Sequence, residues 1–453
     1  MFRSRIFAGA AGILLLCGCS IDLGSSLGVG GSVKPAALVV GDEPFAVKVG
    51  AATLAQGGSA VDAAAAMYFA LAVTYPVSAG LGGGGICIVH DSARNQGEEF
   101  DFLARDASGG GAYAVPGSVR GIALMQSAYG TIPWQKVVAP AEGYARAGFP
   151  ISRALAARLG DAGDVVRLDA GMASEFLDES GHVKSAGSIA SNLELADTLS
   201  AIRTKGPEAF YSGTVADKFV AYSSAQGGAL TRAELAAYRA GRMTPRVTQI
   251  GDDYVSLPVA RTGSVAFAGA LIDNLTRAQA TPTGAKDTEA AVIVAVKETL
   301  KNFNITSLPK DLGATGFAAS DANGQSVSCA VTMNGPFGSG HTALGTGVTL
   351  ARAPASGDAG LASAFLTPVI AGPSGDRPAT LVGAGAGGPN GSAAIAYILT
   401  RIAHGEEIRS RGDIRSTGVA PYDTVNVIVC SSGSCVALPD PGANGLGAAA
   451  PEQ

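Results

Sequence analysis

In the first hundred residues the sequence predicts two helices rich in small residues, followed by a glycine run and a strand. The first helical pattern ends near Gly57-Gly58, and Ser59 then caps a second, Ala-rich helix. Asp62 falls in the first turn of that second helix, where the helix dipole favours a negative charge. The run Gly82–Gly85 precedes the apolar sequence ICIVHD. Neither Gly-Lys-Ser/Thr nor a helix follows the glycines, so the run predicts a turn or a close backbone approach rather than a nucleotide-binding loop.

Composition narrows the class of protein further. Glycine occupies 63 of 453 positions, about twice its usual share of ~7%. Hydrophobic residues make up 47% of the chain and charged residues 15%, which excludes a disordered protein. The net charge is −5 and there is no long basic run, which argues against binding to nucleic acid. The chain is long enough for one large domain or two average ones.

The order of the elements indicates a layered fold. Helical patterns dominate to about residue 240, and short β runs dominate from about Gly313. The sequence Asp321-Ala-Asn-Gly-Gln indicates a turn between two paired strands. Helices first, strands later and a returning helix after ATLVGAG favour a layered α/β or α+β sandwich.

The N-terminus has the features of an export signal. Arg3 and Arg5 precede a short apolar stretch that ends in small residues, which is typical of a signal peptide. The sequence Leu16-Cys17-Gly18-Cys19 resembles the bacterial lipoprotein box. It predicts a signal peptide over residues 1–18, lipidation of Cys19 and a flexible tether over 19–40. The chain would then be exported and lipid-anchored to the cell envelope, on the periplasmic side; the alternative is an ordinary signal peptide with a chance cysteine.

Export permits disulfides, so the remaining cysteines matter. Cys430 and Cys435 flank Ser-Ser-Gly-Ser after a β-rich run, which predicts a hairpin whose ends a disulfide would bridge. Cys87 and Cys329 each lie in an apolar strand-like run with nothing basic nearby, which favours buried, unreactive thiols. The four histidines are far apart and have no ligand spacing. The sequence therefore predicts neither a metal site nor a cofactor.

Several longer segments carry a family resemblance. They are AATLAQGGSAVDAAAAMYFALAVTYPVSAGLGGGG, VPGSVRGIALMQSAYGTIPWQKVVAPAEGYARAGFPIS, PEAFYSGTVADKFV, LTRAELAAYRAGRMTPRV, SDANGQSVSCAVTMNGPFGSG, LTPVIAG and GGPNGSAAIA. Through them the chain resembles the γ-glutamyltranspeptidase family over nearly its whole mature length. The resemblance implies an N-terminal-nucleophile hydrolase fold, a four-layer αββα sandwich in the α/β class. It also implies a large-subunit-like region over 41–313 and a small-subunit-like region over 314–453, in one combined globular domain.

The resemblance also says where catalysis would occur. Members of the family cut themselves, and the new N-terminal Thr attacks the γ-glutamyl carbonyl with its own α-amine as the base. Aligned without gaps on Asp321 and Gly324, that Thr falls on Ala314 in this sequence. Thr315 is the next residue and is the alternative nucleophile, but a one-residue slip in a strand turns the side chain to the other face.

Other family positions have also changed. The Arg that binds the substrate carboxylate becomes Leu103, and Arg105 is a partial substitute two residues further on. A serine pair becomes Ala364-Phe365, whereas the match to Asn334 is retained. The backbone N–H groups that hold the oxyanion map to Asn390 and Gly391. These changes predict an apolar pocket.

Two functional hypotheses follow from these positions. The first is a lipid-anchored family member that has lost γ-glutamyl transfer and hydrolysis, and that binds a small molecule or a peptide. The second is a divergent γ-glutamyl transferase or amide hydrolase that uses Thr315.

Overall fold

Two antiparallel sheets pack face to face at the centre of the fold, and helices cover the outer face of each. The computed structural model describes residues 36–259, 267–277, 285–374, 377–414, 422–431 and 433–451. The predicted signal peptide, Cys19 and most of the predicted tether lie outside these residues.

The helices have the following bounds: α1 Pro44–Ala55, α2 Ala60–Thr74, α3 Ser118–Tyr129, α4 Trp134–Ala147, α5 Arg153–Asp161, α6 Gly163–Leu168, α7 Ala170–Phe176, α8 Leu193–Lys205, α9 Glu208–Tyr211, α10 Gly213–Ala225, α11 Arg232–Ala237, α12 Phe267–Arg277, α13 Ala285–Asn302, α14 Leu361–Ala364 and α15 Pro389–Ala403. None of these helices is long and apolar enough to cross a membrane.

The strands have the following bounds: β1 Leu38–Gly41, β2 Gly84–Asp91, β3 Gln96–Asp101, β4 Arg105–Asp106, β5 Ala114–Val115, β6 Phe149–Pro150, β7 Ile189–Ala190, β8 Gly241–Met243, β9 Arg246–Ile250, β10 Asp253–Leu257, β11 Ala314–Ser320, β12 Gln325–Thr332, β13 Thr342–Ala343, β14 Val348–Thr349, β15 Thr367–Gly372, β16 Leu381–Ala386, β17 Thr424–Ser431, β18 Ser434–Leu438 and β19 Leu446–Ala449.

The sheets have simple neighbour orders. One sheet runs β19-β1-β11-β12-β2-β3-β8, and the other runs β18-β17-β16-β15-β10-β9. Strand β11 lies inside the first sheet, where β12 and β1 pair with it on either side. The turn predicted at Asp321 joins β11 to β12: Asp321 accepts hydrogen bonds from the backbone N–H groups of Asn323 and Gln325.

Side-chain alternation along β11 defines the layers. Phe317 and Ala319 pack into the large apolar core under helices α1 to α4. Ala318 points the other way and packs against Val382 and Ile428 of the second sheet. A further core lies between the second sheet and helices α12, α13 and α15. The order of layers is therefore helix, sheet, sheet, helix.

Helix α2 forms as its sequence predicts. The Ser59 hydroxyl accepts a hydrogen bond from the Asp62 N–H, and the Asp62 carboxylate accepts one from the Ser59 N–H. This reciprocal pair satisfies two donors at the helix start. Every residue of α2 is buried, because Ala-rich faces allow the sheet and the neighbouring helices to approach closely.

The glycine run provides a close backbone approach. A Cβ at Gly84 would overlap the backbone of Leu103 and Ala104. The glycine therefore lets the segment that follows β3 cross directly against β2. This crossing places Leu103 and Arg105 where they border the cavity described below.

The disulfides differ in part from the prediction. Cys430 and Cys435, the predicted hairpin pair, are bonded between β17 and β18. Cys87 and Cys329 are also bonded, so the prediction of two buried free thiols is wrong. The reason is register: the two residues stand directly opposite each other on β2 and β12, with their Cα atoms 4.1 Å apart.

The predicted tether over 19–40 also differs at its end. Residues Leu38 to Val40 belong to β1, which pairs with β11 on one side and β19 on the other. Val39 and Val40 are fully buried. The globular part of the chain therefore begins before residue 41. Successive apolar residues of β1 point to opposite faces of the sheet, and both faces are covered.

Candidate functional site

A cavity of about 810 Å³ opens beside the first residue of β11. Its walls come from the segment between β3 and β4, the residues after α13, the turn after β12, and the loop that leads into α14. The lining residues are Asp101, Leu103, Ala104, Arg105, Asp106, Phe303, Ile305, Asn334, Pro354, Ala355, Gly357, Gly360, Leu361, Ser363 and Ala364. A cavity of this size with mainly apolar walls is suited to a small organic ligand.

The structure brings two predicted substrate residues together in this cavity. Arg105 is exposed, and its guanidinium donates a hydrogen bond to the Arg239 carbonyl at 3.0 Å and lies 4.8 Å from the Tyr238 ring centroid. Asn334 is buried, and its side-chain amide donates to the Arg352 carbonyl at 2.9 Å. Contacts within the protein therefore hold both side chains in place.

Ala314 lies behind the cavity wall, where the lining residue Leu103 packs against it. It is 1% exposed and packs with Leu103, Leu366 and Ala386. A methyl group here can neither attack a carbonyl nor donate a hydrogen bond. The position that the sequence assigns to the family's nucleophile therefore contributes only apolar contact.

The peptide bond before Ala314 is held in a defined geometry. The Gly313 carbonyl accepts hydrogen bonds from the Met333 N–H and the Thr332 hydroxyl, both at 2.9 Å. Gly313 has φ +58°, and a Cβ there would overlap the Gly335 backbone, so glycine is required. Two donors thus point at the carbonyl that a hydroxyl at residue 314 would have to attack.

An ion pair anchors the segment that leads to this bond. Both Arg158 and Asp311 are largely buried, and the guanidinium donates to both carboxylate oxygens, the shortest distance being 2.6 Å. Asp311 also accepts the Gly313 N–H at 2.8 Å. The Arg158 guanidinium lies 4.5 Å from the Tyr422 ring centroid. This arrangement holds residues 311–313 firmly against the body of the protein.

Thr315 does not line the cavity. It is fully buried, and its hydroxyl donates to the Asp42 carboxylate at 2.6 Å. Along β11 it shares the face of Phe317, whereas Ala314 points toward the second sheet. Burial raises the pKa of the Asp42 carboxyl, although hydrogen bonds from Thr315 and Asn426 oppose that effect. The structure thus separates the alternative nucleophile from the predicted substrate residues.

The predicted oxyanion donors also have partners. Asn390 and Gly391 lie in the first turn of α15, and neither lines the cavity. The Asn390 N–H donates to the Asp423 carboxylate at 2.8 Å, and the Gly391 N–H donates to the Gly388 carbonyl at 3.2 Å. A Cβ at Gly388 would overlap the same carboxylate. A side chain of the protein itself therefore supplies the negative charge at this helix start.

The sequence predicts an apolar pocket because of Leu103, Ala364 and Phe365, and the structure places two of these three residues in the cavity wall. Leu103 and Ala364 line the cavity. Phe365 does not: it is fully buried, and its ring lies 4.8 Å from that of Phe267 in the core beside α12. Residue 365 follows the short helix α14, which turns this side chain away from the cavity.

The lining offers little for nucleophilic catalysis. Among the described residues that border the cavity, Ser363 alone carries a hydroxyl, and none is His, Cys or Lys. The Ser363 hydroxyl donates to the Gly360 carbonyl at 2.9 Å. An attacking hydroxyl needs a neighbouring base, and no described side chain fills that role for Ser363. The described residues also contain no group of three His, Cys, Asp or Glu placed to hold a metal ion.

Sequence reasoning missed several of these residues. Phe303, Ile305 and Leu361 come from segments without a recognisable motif, so no local signal in the sequence pointed to them. Asp423 was missed because its contact with α15 depends on the pairing of β16 with β17.

Comparison with known proteins identifies the family to which this chain belongs. Residues 46–301 match the sequence profile of gamma-glutamyltranspeptidase. The chain belongs to the gamma-glutamyltranspeptidase family. A glutathione hydrolase proenzyme of Pseudomonas aeruginosa is 32% identical over 274 residues, which cover 56% of this chain and 48% of that protein. Glutathione hydrolase 3 of Arabidopsis thaliana is 28% identical over 375 residues, or 69% of this chain and 59% of that protein. This gamma-glutamyltranspeptidase-family chain thus spans about half the length of the curated relatives it matches.

Solved structures agree on the fold of this family member. A cephalosporin acylase from Bacillus halodurans superposes with a TM-score of 0.67 at 18% identity, covering 96% of this chain and 99% of that one. The gamma-glutamyltranspeptidase of Helicobacter pylori gives a TM-score of 0.54 at 24% identity, covering 62% and 88%. The predicted N-terminal-nucleophile hydrolase fold, with four αββα layers, is confirmed.

Proposed function

We propose that this gamma-glutamyltranspeptidase-family protein remains a single chain, neither transfers nor hydrolyses γ-glutamyl groups, and binds a small ligand in the cavity. The observation that carries the proposal is Ala314, which stands at the start of β11 beside the cavity and has no hydroxyl. Without that oxygen the chain has neither the group that would cut it nor the group that would carry an acyl intermediate.

Two further contacts support the loss of transfer. The Asn390 N–H already donates a hydrogen bond to the Asp423 carboxylate. An oxyanion at this position would not have that donor available and would be repelled by the negative charge of Asp423. Leu103 replaces the carboxylate-binding Arg and lines the cavity with an apolar side chain. A γ-glutamyl carboxylate placed against Leu103 would lose hydration without gaining a partner there, at about 2–7 kcal/mol for an unpaired polar group.

We propose further that the protein is exported and anchored to the envelope by a lipid on Cys19. The sequence of residues 1–19 supports this proposal. Two disulfides among the described residues support an oxidising compartment independently of the N-terminus, because disulfides are rare in proteins of the cytosol. One of them is fully buried between β2 and β12, where it contributes to the core rather than to a surface exchange reaction.

The experiment is an intact-mass measurement on protein purified from its own host, combined with an electrophoresis gel under reducing conditions. We expect one chain that begins at residue 19 and carries acyl groups, with no release of aniline from a γ-glutamyl anilide. Reduction is essential, because the Cys87–Cys329 disulfide spans residue 313 and would hold two fragments together.

Each part of the proposal has its own contrary result. Two fragments that separate near residue 313 after reduction would overturn the single-chain claim. An unmodified Cys19 would overturn the lipid anchor alone. Release of aniline that Thr315→Ala abolishes would restore the alternative hypothesis of a divergent enzyme.

A further inference from the structure

We infer that the cavity binds an amphiphile with one carboxylate and an apolar body, and that the carboxylate pairs with Arg105. The inference rests on the proposed function, because it names the ligand class of the same cavity. It departs from a γ-glutamyl ligand, whose polar head carries both an amine and a carboxylate.

Arg105 supplies the attractive charge. It is the single basic side chain among the described residues that line the cavity, and its contacts with described residues are to a backbone carbonyl and an aromatic ring rather than to a carboxylate. One of its nitrogens donates to the Arg239 carbonyl, and its plane lies over Tyr238. Tyr238 is itself fixed, since its hydroxyl donates to the Leu103 carbonyl at 2.9 Å. A planar guanidinium held in this way keeps further N–H donors for a carboxylate.

Two acidic side chains, Asp101 and Asp106, also line the cavity. Asp101 accepts the Leu103 N–H at 3.0 Å, and Asp106 accepts the Ala355 N–H at 2.9 Å. These hydrogen bonds tie the carboxylates to the backbone of the cavity walls, so they shape the site. Because Arg105 is the one cation among the described lining residues, a second anionic group on the ligand would lack a partner there and would be repelled by the exposed Asp106 carboxylate. This favours a ligand with a single negative charge.

The rest of the wall is apolar and only partly covered. Phe303, Ile305 and Leu361 are half-buried, and each has side-chain surface available in the cavity. Leu103 and Ala364 extend the same apolar surface, and Leu103 also packs against Ala314. Covering such surface with a hydrocarbon chain is favourable by about 25 cal/mol for each Å² removed from water. The walls therefore match the body of an amphiphile, and Arg105 matches its head.

The same chemistry has two sources, a free fatty acid and an N-acylated amino acid. Both present one carboxylate and a hydrocarbon chain. They differ in the distance from the carboxylate to the start of the chain and in the presence of an amide. Direct comparison of octanoate with N-octanoylglycine distinguishes them.

The test is titration calorimetry on the full chain carrying Cys19→Ala, which removes the predicted lipidation and with it the need for detergent. The probes are octanoate, N-octanoylglycine, octan-1-ol and octylammonium. We expect at least one of the two carboxylates to bind tenfold or more tightly than octan-1-ol, and octylammonium to bind more weakly still. The tighter carboxylate identifies the source.

Two variants assign the contacts. Arg105→Gln should weaken the carboxylate at least tenfold and leave octan-1-ol unchanged, whereas Arg232→Gln, an exposed arginine on α11, should change neither. Ala355→Trp adds bulk at an exposed lining position and should weaken every ligand. Unchanged far-ultraviolet circular dichroism would show that the variants are folded.

The inference is overturned if octylammonium binds as tightly as the carboxylates, if none of the four probes binds, or if Arg105→Gln has no effect on the carboxylate. Such results would leave the single-chain proposal intact, because that proposal depends on the intact mass and on the γ-glutamyl anilide. Conversely, a chain that cuts itself but binds octanoate through Arg105 would overturn the proposed function and leave the inferred ligand class intact.

Discussion

The Asp423 carboxylate accepts a hydrogen bond from the Asn390 N–H at 2.8 Å, across 33 positions of sequence. The contact forms because Asp423 directly precedes β17, and β17 pairs with β16, the strand before α15. The first turn of α15 is thereby capped by an internal anion. The same backbone groups that the family resemblance assigns to an oxyanion instead stabilise the resting fold.

Removal of this anion should therefore affect stability. We expect Asp423→Ala to lower the free energy of unfolding by about 1–2 kcal/mol, as for the loss of other helix caps. Asp423→Asn keeps an acceptor but loses the charge, so its loss should be about half as large. Urea unfolding of both variants tests this expectation. No loss in Asp423→Asn would mean that the charge contributes nothing at this helix start, and equal losses in both variants would mean that a neutral acceptor contributes nothing.

The donors at Gly313 lead to a different expectation for Ala314→Thr. A new hydroxyl would stand beside a carbonyl that already accepts hydrogen bonds from Met333 and Thr332, and such donors stabilise the oxyanion of an attack. We expect slow cleavage between residues 313 and 314. Release of aniline from a γ-glutamyl anilide should remain absent, because the Asn390 N–H stays bound to Asp423 and is not available to an oxyanion.

The matched control is Ala314→Val, which has the shape of Thr without the hydroxyl. It should stay intact on a reducing gel, whereas Ala314→Thr should give two fragments over days. On a gel run without reductant both variants should migrate as one band, since Cys87 and Cys329 lie on opposite sides of the cut. An intact Ala314→Thr chain after reduction would show that the two donors are insufficient for cleavage.

Local signals in the sequence predicted much of the fold. The Ser59 cap, the Asp321 turn and the hairpin that ends at Cys435 all rest on neighbouring residues. The layered arrangement followed from the order of helical and strand-like segments together with the family resemblance. Local propensity and overall fold agree at these positions, as natural sequences require.

Contacts between distant strands could not be predicted in the same way. The Cys87–Cys329 bond joins residues 242 positions apart and depends on the register of β2 against β12. The contact of Asp423 with Asn390 likewise depends on sheet order. In the cavity, the side chains of Phe303 and Ile305 come from a loop, whose path no periodicity specifies.

The buried disulfide should contribute strongly to stability. Replacing both Cys87 and Cys329 by Ala frees a long loop in the unfolded chain, and we expect a loss of about 2–4 kcal/mol in the free energy of unfolding. The double variant Cys430→Ala/Cys435→Ala is the matched control, since its loop spans five residues and should cost less. Denaturant unfolding without reductant measures both. A larger loss from the short hairpin would contradict the loop-length argument.

Glu175 should make stability fall as pH rises. One of its carboxylate oxygens accepts a hydrogen bond from Asn192, and the other has no partner among the described residues. Burial raises the pKa of Glu175 from 4.5 to about 8. Below pH 4.5 both the folded and unfolded states hold the proton, so stability is then at its full value. Between pH 4.5 and about 8 the unfolded state releases the proton first, and folding becomes less favourable.

The Glu175→Gln variant tests this pH dependence, because glutamine stays neutral and can keep the hydrogen bond from Asn192 through its oxygen. We expect the curve of unfolding free energy against pH to be flatter for this variant between pH 5 and 8, and the variant to be more stable than the parent at pH 9. The gain should be a few kcal/mol, at about 1.4 kcal/mol for each tenfold change in the ionisation constant. Burial also raises the pKa of Glu43, to about 7, so the difference between variant and parent is the quantity to measure. Glu179→Gln, at an exposed position shortly after α7, should leave the curve unchanged. Parallel curves for Glu175→Gln and the parent would mean that burial does not shift the pKa of Glu175 in the folded protein.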